Sequence, residues 1–322
     1  MLLRRSAGLA LTAAFVLAAC APGGGAKASK DDPGRTAITV ASLKVAATVP
    51  VEVAQRKGFF TKEGLDVTLK YVEPAAAVPS VAGGQAQFSV LNAPAVLVAR
   101  TNKVPVVGVS VLSTANPDPA GSPIRLLTTK DSGIKEVKDL AGRKVAVDTL
   151  YQLPDLTLRT ALRARGVDPS KVEFVEIPFA QMEQALTSGR VDAADMTEPF
   201  ATMSEKEKDL RTVLSNGEGQ DQDWPQTLTL ASDQYAKSNP SVVTAFQRAM
   251  DAAVAYTRDH PDEARAVVPK YTPVPQAIAD AMRMPGWKSD PPAKGWENWA
   301  EVLQKEGAVK DEIDVSAAYL AH

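Results

Sequence analysis

The chain has 322 residues, of which 45% are hydrophobic and 23% are charged, enough apolar material for two globular domains. Its 36 Lys and Arg residues nearly balance 38 Asp and Glu residues, and no basic patch indicates a nucleic-acid partner. One Cys and two His residues exclude an internal disulfide and a zinc site built from such ligands.

The first 19 residues read as a signal peptide. Arg4 and Arg5 precede a mostly apolar run over residues 7–19, whose 13 residues are fewer than the about 20 that cross a bilayer. The run ends at Cys20, and Leu17-Ala-Ala-Cys20 resembles the lipoprotein signal in which that thiol is acylated. We therefore expect a mature start at Cys20 and lipid anchoring outside the cytoplasm. The alternative is a chance cysteine in an ordinary signal peptide.

Residues 20–35 are rich in Gly, Ala, Ser and charged residues and are expected to form a flexible tether. From residue 36 onward, short β-type runs alternate with helix-type runs, which predicts mostly parallel sheets flanked by helices. In the first unit the predicted strands cover 38–43, 65–72, 86–91 and 104–112, with helices from Pro50, over 75–82 and over 94–100.

The next hundred residues repeat this pattern. Strands are predicted over 144–147, 172–177 and 193–196, with helices over 156–165 and 180–188. The two units also resemble each other: Gly84 to Pro94 aligns without gaps on Gly189 to Pro199, and Gly64-Leu-Asp on Gly166-Val-Asp. Each unit is thus expected to have a turn glycine, a short strand and a proline that opens a helix.

The end of the chain differs from both units. After a predicted strand over 227–231 it turns almost wholly helical from Ser241, with Trp296, Trp299 and Leu303 at the spacing of a buried helix face. We therefore predict that lobe one comprises residues 36–122 and 226–322 and that lobe two comprises 123–225. Two crossover strands would form the hinge.

Several motifs occur in an order that resembles the type II periplasmic binding proteins of nitrate, sulfonate, taurine and thiamine-pyrimidine importers. They are PVEVAQRKGFF (50–60), EGLDV (63–67), SVLNAP (89–94), KDSGI (130–134), DLAGRKV (139–145), ALTSGRVDA (185–193), EPF (198–200) and NP (239–240). The resemblance implies a two-lobed α/β Venus-flytrap fold, a monomer without cofactor, and permease and ATPase subunits of an ABC importer as partners.

Ligands of open α/β sheets bind beyond the carboxyl ends of strands, near helix N-termini. This places the candidate site at loops 44–49, 91–94, 148–154 and 197–200, and the resemblance implies the same loops. The candidate ligand-binding residues are Thr48, Asn92, Thr149, Tyr151, Thr197, Glu198 and Trp224.

The candidates have competing interpretations. Asn92 can contact solute or cap the helix that Pro94 opens. Glu198, which matches the family's Glu-Pro pair, can bind a ligand amine or ring N–H, or can close the lobes through an Arg or a backbone N–H. Tyr151 and Trp224 can form apolar walls. In the first loop Thr48 can donate its hydroxyl, whereas Lys44 is interpreted as a solvated surface residue.

Two departures from the family pattern bear on the ligand. Thr197 stands where many members have an aromatic residue, and the loop Asp148-Thr-Leu-Tyr-Gln-Leu-Pro154 is not Gly/Ser-rich. Both favour a larger organic solute with polar and apolar parts over a small bare anion. Nitrate and sulfonate nevertheless stay open.

An enzyme would need a nucleophile beside a base, yet the chain has only His260 and His322, and no phosphate-binding loop. We therefore predict a binding protein. The alternatives are a pyrimidine-precursor-synthesising enzyme of the same superfamily, which would need a reactive His in the cleft, and a ligand-sensing receptor subunit.

Overall fold

The computed structural model describes residues 27–30, 32, 34–208 and 210–320, so the expected signal peptide and Cys20 lie outside the described residues. Within these ranges the chain forms eleven strands in two sheets. The strands are β1 Lys27–Ala28, β2 Thr36–Ser42, β3 Leu65–Tyr71, β4 Phe88–Asn92, β5 Val106–Thr114, β6 Ile124–Thr128, β7 Lys144–Val147, β8 Glu173–Glu176, β9 Ala193–Thr197, β10 Arg211–Ser215 and β11 Pro225–Ser232.

The two sheets have the same strand order. The first runs β3-β2-β4-β11-β5 and the second runs β8-β7-β9-β6-β10. In each sheet the first three strands are parallel, and the fourth pairs antiparallel with both of its neighbours. We refer to each sheet with its packed helices as the first and the second lobe, in agreement with the two-lobed α/β fold expected from the sequence.

The sequence echo between the two units corresponds to this repeat. Strands β4 and β9, which the gapless alignment superimposes, occupy the third position of their sheets. Gly64 and Gly166 both have φ near +72°, in the left-handed region that only glycine adopts without strain. The aligned glycines therefore make the same turn before equivalent strands.

Helices cover both lobes. They are α1 Val49–Arg56, α2 Phe59–Lys62, α3 Pro74–Ala82, α4 Ala93–Thr101, α5 Leu153–Ala164, α6 Phe179–Thr187, α7 Phe200–Glu207, α8 Asp233–Ser238, α9 Pro240–Asp259, α10 Pro261–Val267, α11 Gln276–Ala281 and α12 Ala293–Lys305. Proline at N1 or N2 begins several of them, because its missing N–H is not needed there. In the described part of the chain, no helix is both long and apolar enough to span a bilayer.

The C-terminal helices pack on the first lobe, as the sequence predicts. Helix α9 buries Phe246 against Phe88 of β4, with ring centroids 3.9 Å apart. Helix α12 buries Trp296, Trp299 and Leu303, and the Trp299 indole donates a hydrogen bond of 2.7 Å to the carbonyl oxygen of Pro225. The tryptophan stripe is therefore a core face, and it fixes the start of β11.

The chain crosses between the sheets twice, from β5 to β6 and from β10 to β11. The two crossover segments touch through their backbones at Gly217, where an added Cβ would lie 2.4 Å from the carbonyl oxygen of Pro119. These are the two segments that the sequence predicts to form a hinge, and they pack closely against each other.

One short element differs from expectation. Lys27 and Ala28 fall in the segment predicted to be a flexible tether, but they form β1 and pair with Ala37 and Thr36 of β2. The Ser29 hydroxyl also hydrogen-bonds to Asp66. Pairing to an open stretch of β2 gives these residues backbone partners that their composition did not indicate.

Candidate functional site

Four loops at the carboxyl ends of parallel strands face each other between the lobes. They follow β2 and β4 in the first lobe and β7 and β9 in the second. Two hydrogen bonds join them directly: Ala46 N–H donates to the Glu198 carbonyl oxygen at 3.1 Å, and the Asn92 amide Nδ2 donates to Gln152 Oε1 at 2.9 Å. The loops that the sequence assigned to the site therefore meet.

Asn92 has two structural roles at this junction. Its Oδ1 accepts a hydrogen bond from Ala95 N–H at 2.9 Å and caps α4, while its Nδ2 contacts Gln152 of the second lobe. The cap satisfies one of the free N–H groups of the first helical turn. The remaining Nδ2 hydrogen and the Gln152 amide are polar groups at the junction that a solute can engage.

Thr48 is fully buried and serves its own loop. Its Oγ1 lies 2.9 Å from the Leu43 carbonyl oxygen and 2.8 Å from that of Val45, so its hydroxyl proton is directed to the backbone. Lys44 is exposed, with Nζ 5.5 Å from the centroid of the Tyr71 ring, a cation-π distance. Thr48 thus shapes the first loop from inside.

Glu198 is fully buried, and protein donors surround its carboxylate. Oε1 accepts from Arg125 Nη1 at 2.7 Å, from the Thr202 hydroxyl at 2.8 Å and from Arg283 N–H at 3.0 Å, and Oε2 accepts from Thr202 N–H. Arg125 also contacts Glu205 at 2.9 Å. This geometry supports the lobe-closing interpretation, because both the carbonyl and the carboxylate of Glu198 reach residues outside its own lobe.

The loop after β7 contains a strained residue. Tyr151 has φ of +59°, a conformation rare for a bulky side chain, and its N–H donates to Asp155 Oδ2 at 2.7 Å. Its ring lies 5.5 Å from the Arg159 guanidinium, which itself binds Asp155. Strain held in place by a hydrogen bond is typical of loops with a function, so the Tyr151 loop stays a strong candidate.

Asp148 begins the same loop and carries a buried carboxylate oxygen, Oδ1, with no hydrogen-bond partner. Burial raises the pKa of Asp148 to about 7, opposed in part by hydrogen bonds from backbone N–H groups and reinforced by Asp155 and Glu176. Burial also raises the pKa of Asp195 well above its ordinary value, and Asn216 hydrogen-bonds to both of its oxygens. The second lobe therefore holds acidic side chains directly beneath its site loop.

Thr197 and Trp224 lie at different positions. Thr197 is the last residue of β9 and pairs with Ile124 of β6, next to the Glu198 cluster. Trp224 lies in the second crossover segment, buried edge-on against Trp299 with ring centroids 4.9 Å apart. The aromatic wall predicted at Trp224 thus belongs to the hinge side, whereas Thr149 and Tyr151 belong to the cleft loop.

Two cavities accompany these segments. The larger, of about 500 Å³, is polar and open and lies at the hinge between residues 220–224 and the start of α12. The smaller, of about 190 Å³, lies between the lobes. Its lining includes Pro74, Val78, Ala95 and Val98 from the first lobe and Thr149 and Gln152 from the second. Of the two cavities, only the smaller one includes residues of the strand-end loops.

Sequence reasoning missed three residues of this region. Arg125 is the single charge in the apolar run of β6, and a buried charge needs a partner. That partner, Glu198, lies 73 residues further along the chain. Gln152 and Asp148 were within the predicted loop, yet only the fold reveals that one contacts Asn92 and that the other lacks a partner. His260 lies outside the site, between α9 and α10, stacked on Tyr256.

Comparison with known proteins gives a consistent result. The NMT1/THI5-like family model matches residues 46–264. A putative aliphatic sulfonates-binding protein of Bacillus subtilis is 26% identical over 259 residues, covering 78% of this chain and 73% of that protein. A putative thiamine biosynthesis protein of Haemophilus influenzae is 28% identical over 284 residues, covering 80% and 82%.

Solved structures share the fold. The alkanesulfonate-binding protein SsuA from Xanthomonas axonopodis pv. citri, bound to MOPS, superimposes with a TM-score of 0.75 at 15% identity, over 88% of this chain and 98% of that one. At this identity the likeness establishes the architecture alone.

Proposed function

The chain belongs to the NMT1/THI5-like family, and from this premise we propose that it is the solute-binding protein of an ABC importer. It captures a small organic solute between its two lobes and delivers it to permease and ATPase subunits. The observation that carries the proposal is the cavity of about 190 Å³ lined by both lobes at the strand-end loops. The sulfonate-binding relative and the shared fold support it.

The protein is a binding protein and not an enzyme. The runner-up, an enzyme that makes a pyrimidine precursor, would need a reactive His in the cleft, but no His occurs in the loops 44–49, 91–94, 148–154 or 197–200. The nearest chemical feature, the carboxylate of Glu198, is held by Arg125 and Thr202.

Capture proceeds by closure of the lobes. Solute binds to the apolar surface of α3 and α4, and Thr149 and Gln152 of the second lobe then cover it. The contacts Asn92–Gln152 and Ala46–Glu198 belong to the closed form, so any solute that adds contacts to both lobes shifts the population toward closure. The importer would recognise the closed spacing of the lobes.

The protein acts as a monomer outside the cytoplasm, anchored to the membrane by lipid on Cys20. The motif Leu17-Ala-Ala-Cys20 after an apolar run supports this part of the proposal. Labelling of cells with a radioactive fatty acid should mark the parent protein and leave Cys20→Ser unlabelled and released from membranes. Equal labelling of both proteins would contradict the anchor.

A thermal-shift screen of the full chain in detergent tests the binding function. Sulfonates, nitrate, amines and pyrimidines are the candidate solutes. A solute that binds only the native state adds RT ln(1 + [L]/Kd) to the free energy of unfolding and therefore raises the melting temperature. No stabilisation by any of them would count against the proposal. Deletion of the protein should then abolish uptake of the identified solute, whereas a receptor subunit would leave uptake intact.

A further inference from the structure

Helix α5 of the second lobe packs against helix α12 of the first lobe. Leu153 and Leu156 of α5 are buried in the same hydrophobic cluster as Trp299 and Leu303 of α12. Apolar surface that two lobes bury together favours their closed arrangement, but the hydrophobic effect is non-directional. A directional contact between the two helices must therefore come from polar groups.

Three charged side chains supply that directional contact. Glu306, the C-cap residue of α12, has a side chain that is only 5% exposed. Its Oε1 accepts a hydrogen bond from Arg163 Nε at 2.7 Å, and its Oε2 lies 3.7 Å from Arg159 Nη1. Both arginines belong to α5. The two carboxylate oxygens of a first-lobe residue thus face two cations of the second lobe.

Neither lobe balances these charges by itself. In the second lobe, Asp155 pairs with Arg159 at 2.7 Å, and within the described part of the chain Arg163 pairs with no carboxylate other than that of Glu306. In the first lobe, Glu306 lies at the C-terminal end of a helix, where the helix dipole disfavours a negative charge. Closure therefore brings an excess cation of one lobe onto an uncompensated carboxylate of the other.

The same charges continue to the cleft loop. Asp155 Oδ2 accepts a hydrogen bond of 2.7 Å from the N–H of Tyr151, whose φ is +59°. The Arg159 guanidinium lies 5.5 Å from the centroid of the Tyr151 ring and 4.0 Å from that of Phe174. Arg159 is therefore a positioning residue, which contacts the Tyr151 loop on one side and Glu306 on the other. We refer to Asp155, Arg159, Arg163 and Glu306 as the interlobe ion cluster.

We propose that the interlobe ion cluster is a latch for the closed form. Glu306 pairs with Arg159 and Arg163 when the lobes close, and through Arg159 this contact fixes the Tyr151 loop against the cleft. Opening of the lobes breaks the pairs, returns the charges to water and releases the loop. The inference rests on the proposed function, because it describes how a protein that captures solute between its lobes completes its site.

Distances between spin labels on the two lobes test the latch without any solute. Ala76→Cys and Gln181→Cys place the labels at exposed positions in the first turns of α3 and α6. These helices follow the outermost strands β3 and β8, at the sheet edges opposite the crossover strands, so opening separates them widely. The background is the full chain with Cys20→Ser in detergent, which has no other thiol. Pulsed electron spin resonance then gives the ratio of closed to open molecules.

We expect this ratio to fall about tenfold or more in Glu306→Gln, because a charge-assisted hydrogen bond is lost and Arg163 has no counter-charge in the closed form. Arg163→Gln should have the same effect, whereas Arg163→Lys keeps the cation and should recover part of the ratio. The matched control is Glu301→Gln, on the same helix. Glu301 pairs with Lys294 of α12 itself and is 72% exposed, so the ratio should stay within about twofold of the parent.

Hydrogen exchange of the Tyr151 amide tests the link from the latch to the cleft loop. This amide is protected by its hydrogen bond to Asp155, and its exchange should become about tenfold faster in Glu306→Gln and stay unchanged in Glu301→Gln. Urea unfolding of the same variants separates a latch from a purely structural role. A structural role would lower the free energy of unfolding and leave the interlobe distances as they are in the parent.

An unchanged ratio in both Glu306→Gln and Arg163→Gln overturns the latch, as does a parent that lacks the closed distance altogether. A lower ratio with unchanged exchange of Tyr151 overturns the link to the loop. If Glu306→Gln does not fold, Arg163→Gln and its comparison with Arg163→Lys decide the question. The proposed function is tested separately by the thermal-shift screen and the uptake assay, since solute can also close lobes that have no latch.

Discussion

Arg125 and Glu198 form an ion pair in which both side chains are fully buried, with Nη1 and Oε1 2.7 Å apart. The pair lies where the second lobe meets the first, since Glu198 also accepts hydrogen bonds from the N–H groups of Ala46 and Arg283. Thr202 and Glu205 provide further hydrogen bonds to these two desolvated charges, which help to offset the cost of burying them, although Arg125 Nε is left without a partner among the described residues. Loss of either partner should therefore be costly.

Arg125→Met should destabilise the protein by about 3–5 kcal/mol, because it leaves the Glu198 carboxylate buried without its cation. The double variant Arg125→Met, Glu198→Gln should recover most of that loss. Free energies of unfolding from urea titrations measure both. Arg143→Met is the matched control: its pair with Asp192, at 3.2 Å, is partly exposed and should contribute less than about 1 kcal/mol. An Arg125→Met protein as stable as this control would contradict the prediction.

Much of the fold was predictable because its signals are local. The strand over Lys144–Val147 was predicted with the bounds that the structure has, and the Trp296, Trp299 and Leu303 stripe is buried as expected from helical spacing. Strand β6 was missed because its apolar run is interrupted by Arg125, whose burial depends on a residue in another element. Local patterns cannot report such a non-local pair.

The site was predictable by region but not by contact. Strand-end loops were identified because parallel strands share one edge, which is a property of the fold. The enclosure of Glu198 by Arg125 follows from the pairing of β6 with β9 inside the second lobe, and the contact of Asn92 with Gln152 follows from the approach of the two lobes. That approach joins residues 60 or more positions apart, for which the sequence carries no periodic signal.

Asn92→Ser should separate the two roles of Asn92. Serine is also a good helix N-cap, so the cap of α4 is kept, while the hydrogen bond to Gln152 is lost. We expect solute affinity to fall about two- to tenfold, since one neutral hydrogen bond contributes roughly 0.5–1.5 kcal/mol to closure, with little change in unfolding free energy.

Asn92→Ala is the matched variant and loses both roles. It should show the same loss of affinity together with about 1 kcal/mol of destabilisation from the missing cap. Calorimetric titration and urea unfolding give the two quantities. Equal stability of the Ser and Ala variants would show that the cap contributes nothing.

Gly217→Ala should disturb the hinge. An added Cβ would lie 2.4 Å from the Pro119 carbonyl oxygen and 2.5 Å from its Cα, both backbone atoms that cannot rotate away. The crossover segments must then move apart, at a cost of about 1–3 kcal/mol. Gly34→Ala, whose nearest neighbour is the Asp32 side chain at 3.3 Å, is the control and should change stability by less than about 0.5 kcal/mol. A neutral Gly217→Ala in urea unfolding would contradict the close approach.

The pH dependence of stability should reveal Asp148. Its pKa is raised to about 7 in the folded protein from an ordinary value of 3.8, so the native state keeps a proton that the unfolded chain has lost. Stability is therefore expected to fall by a few kcal/mol as the pH rises from about 4 to about 7, and to level off above that. Burial raises the pKa values of Asp155 and Asp195 in the same direction.

Asp148→Asn removes one of these protons and should be more stable than the parent at pH 8 while matching it near pH 4. The fall of its unfolding free energy with rising pH becomes shallower without vanishing, because Asp155 and Asp195 remain. Urea unfolding at pH 4, 6 and 8 measures the profiles, and identical profiles for parent and variant would rule Asp148 out as the source.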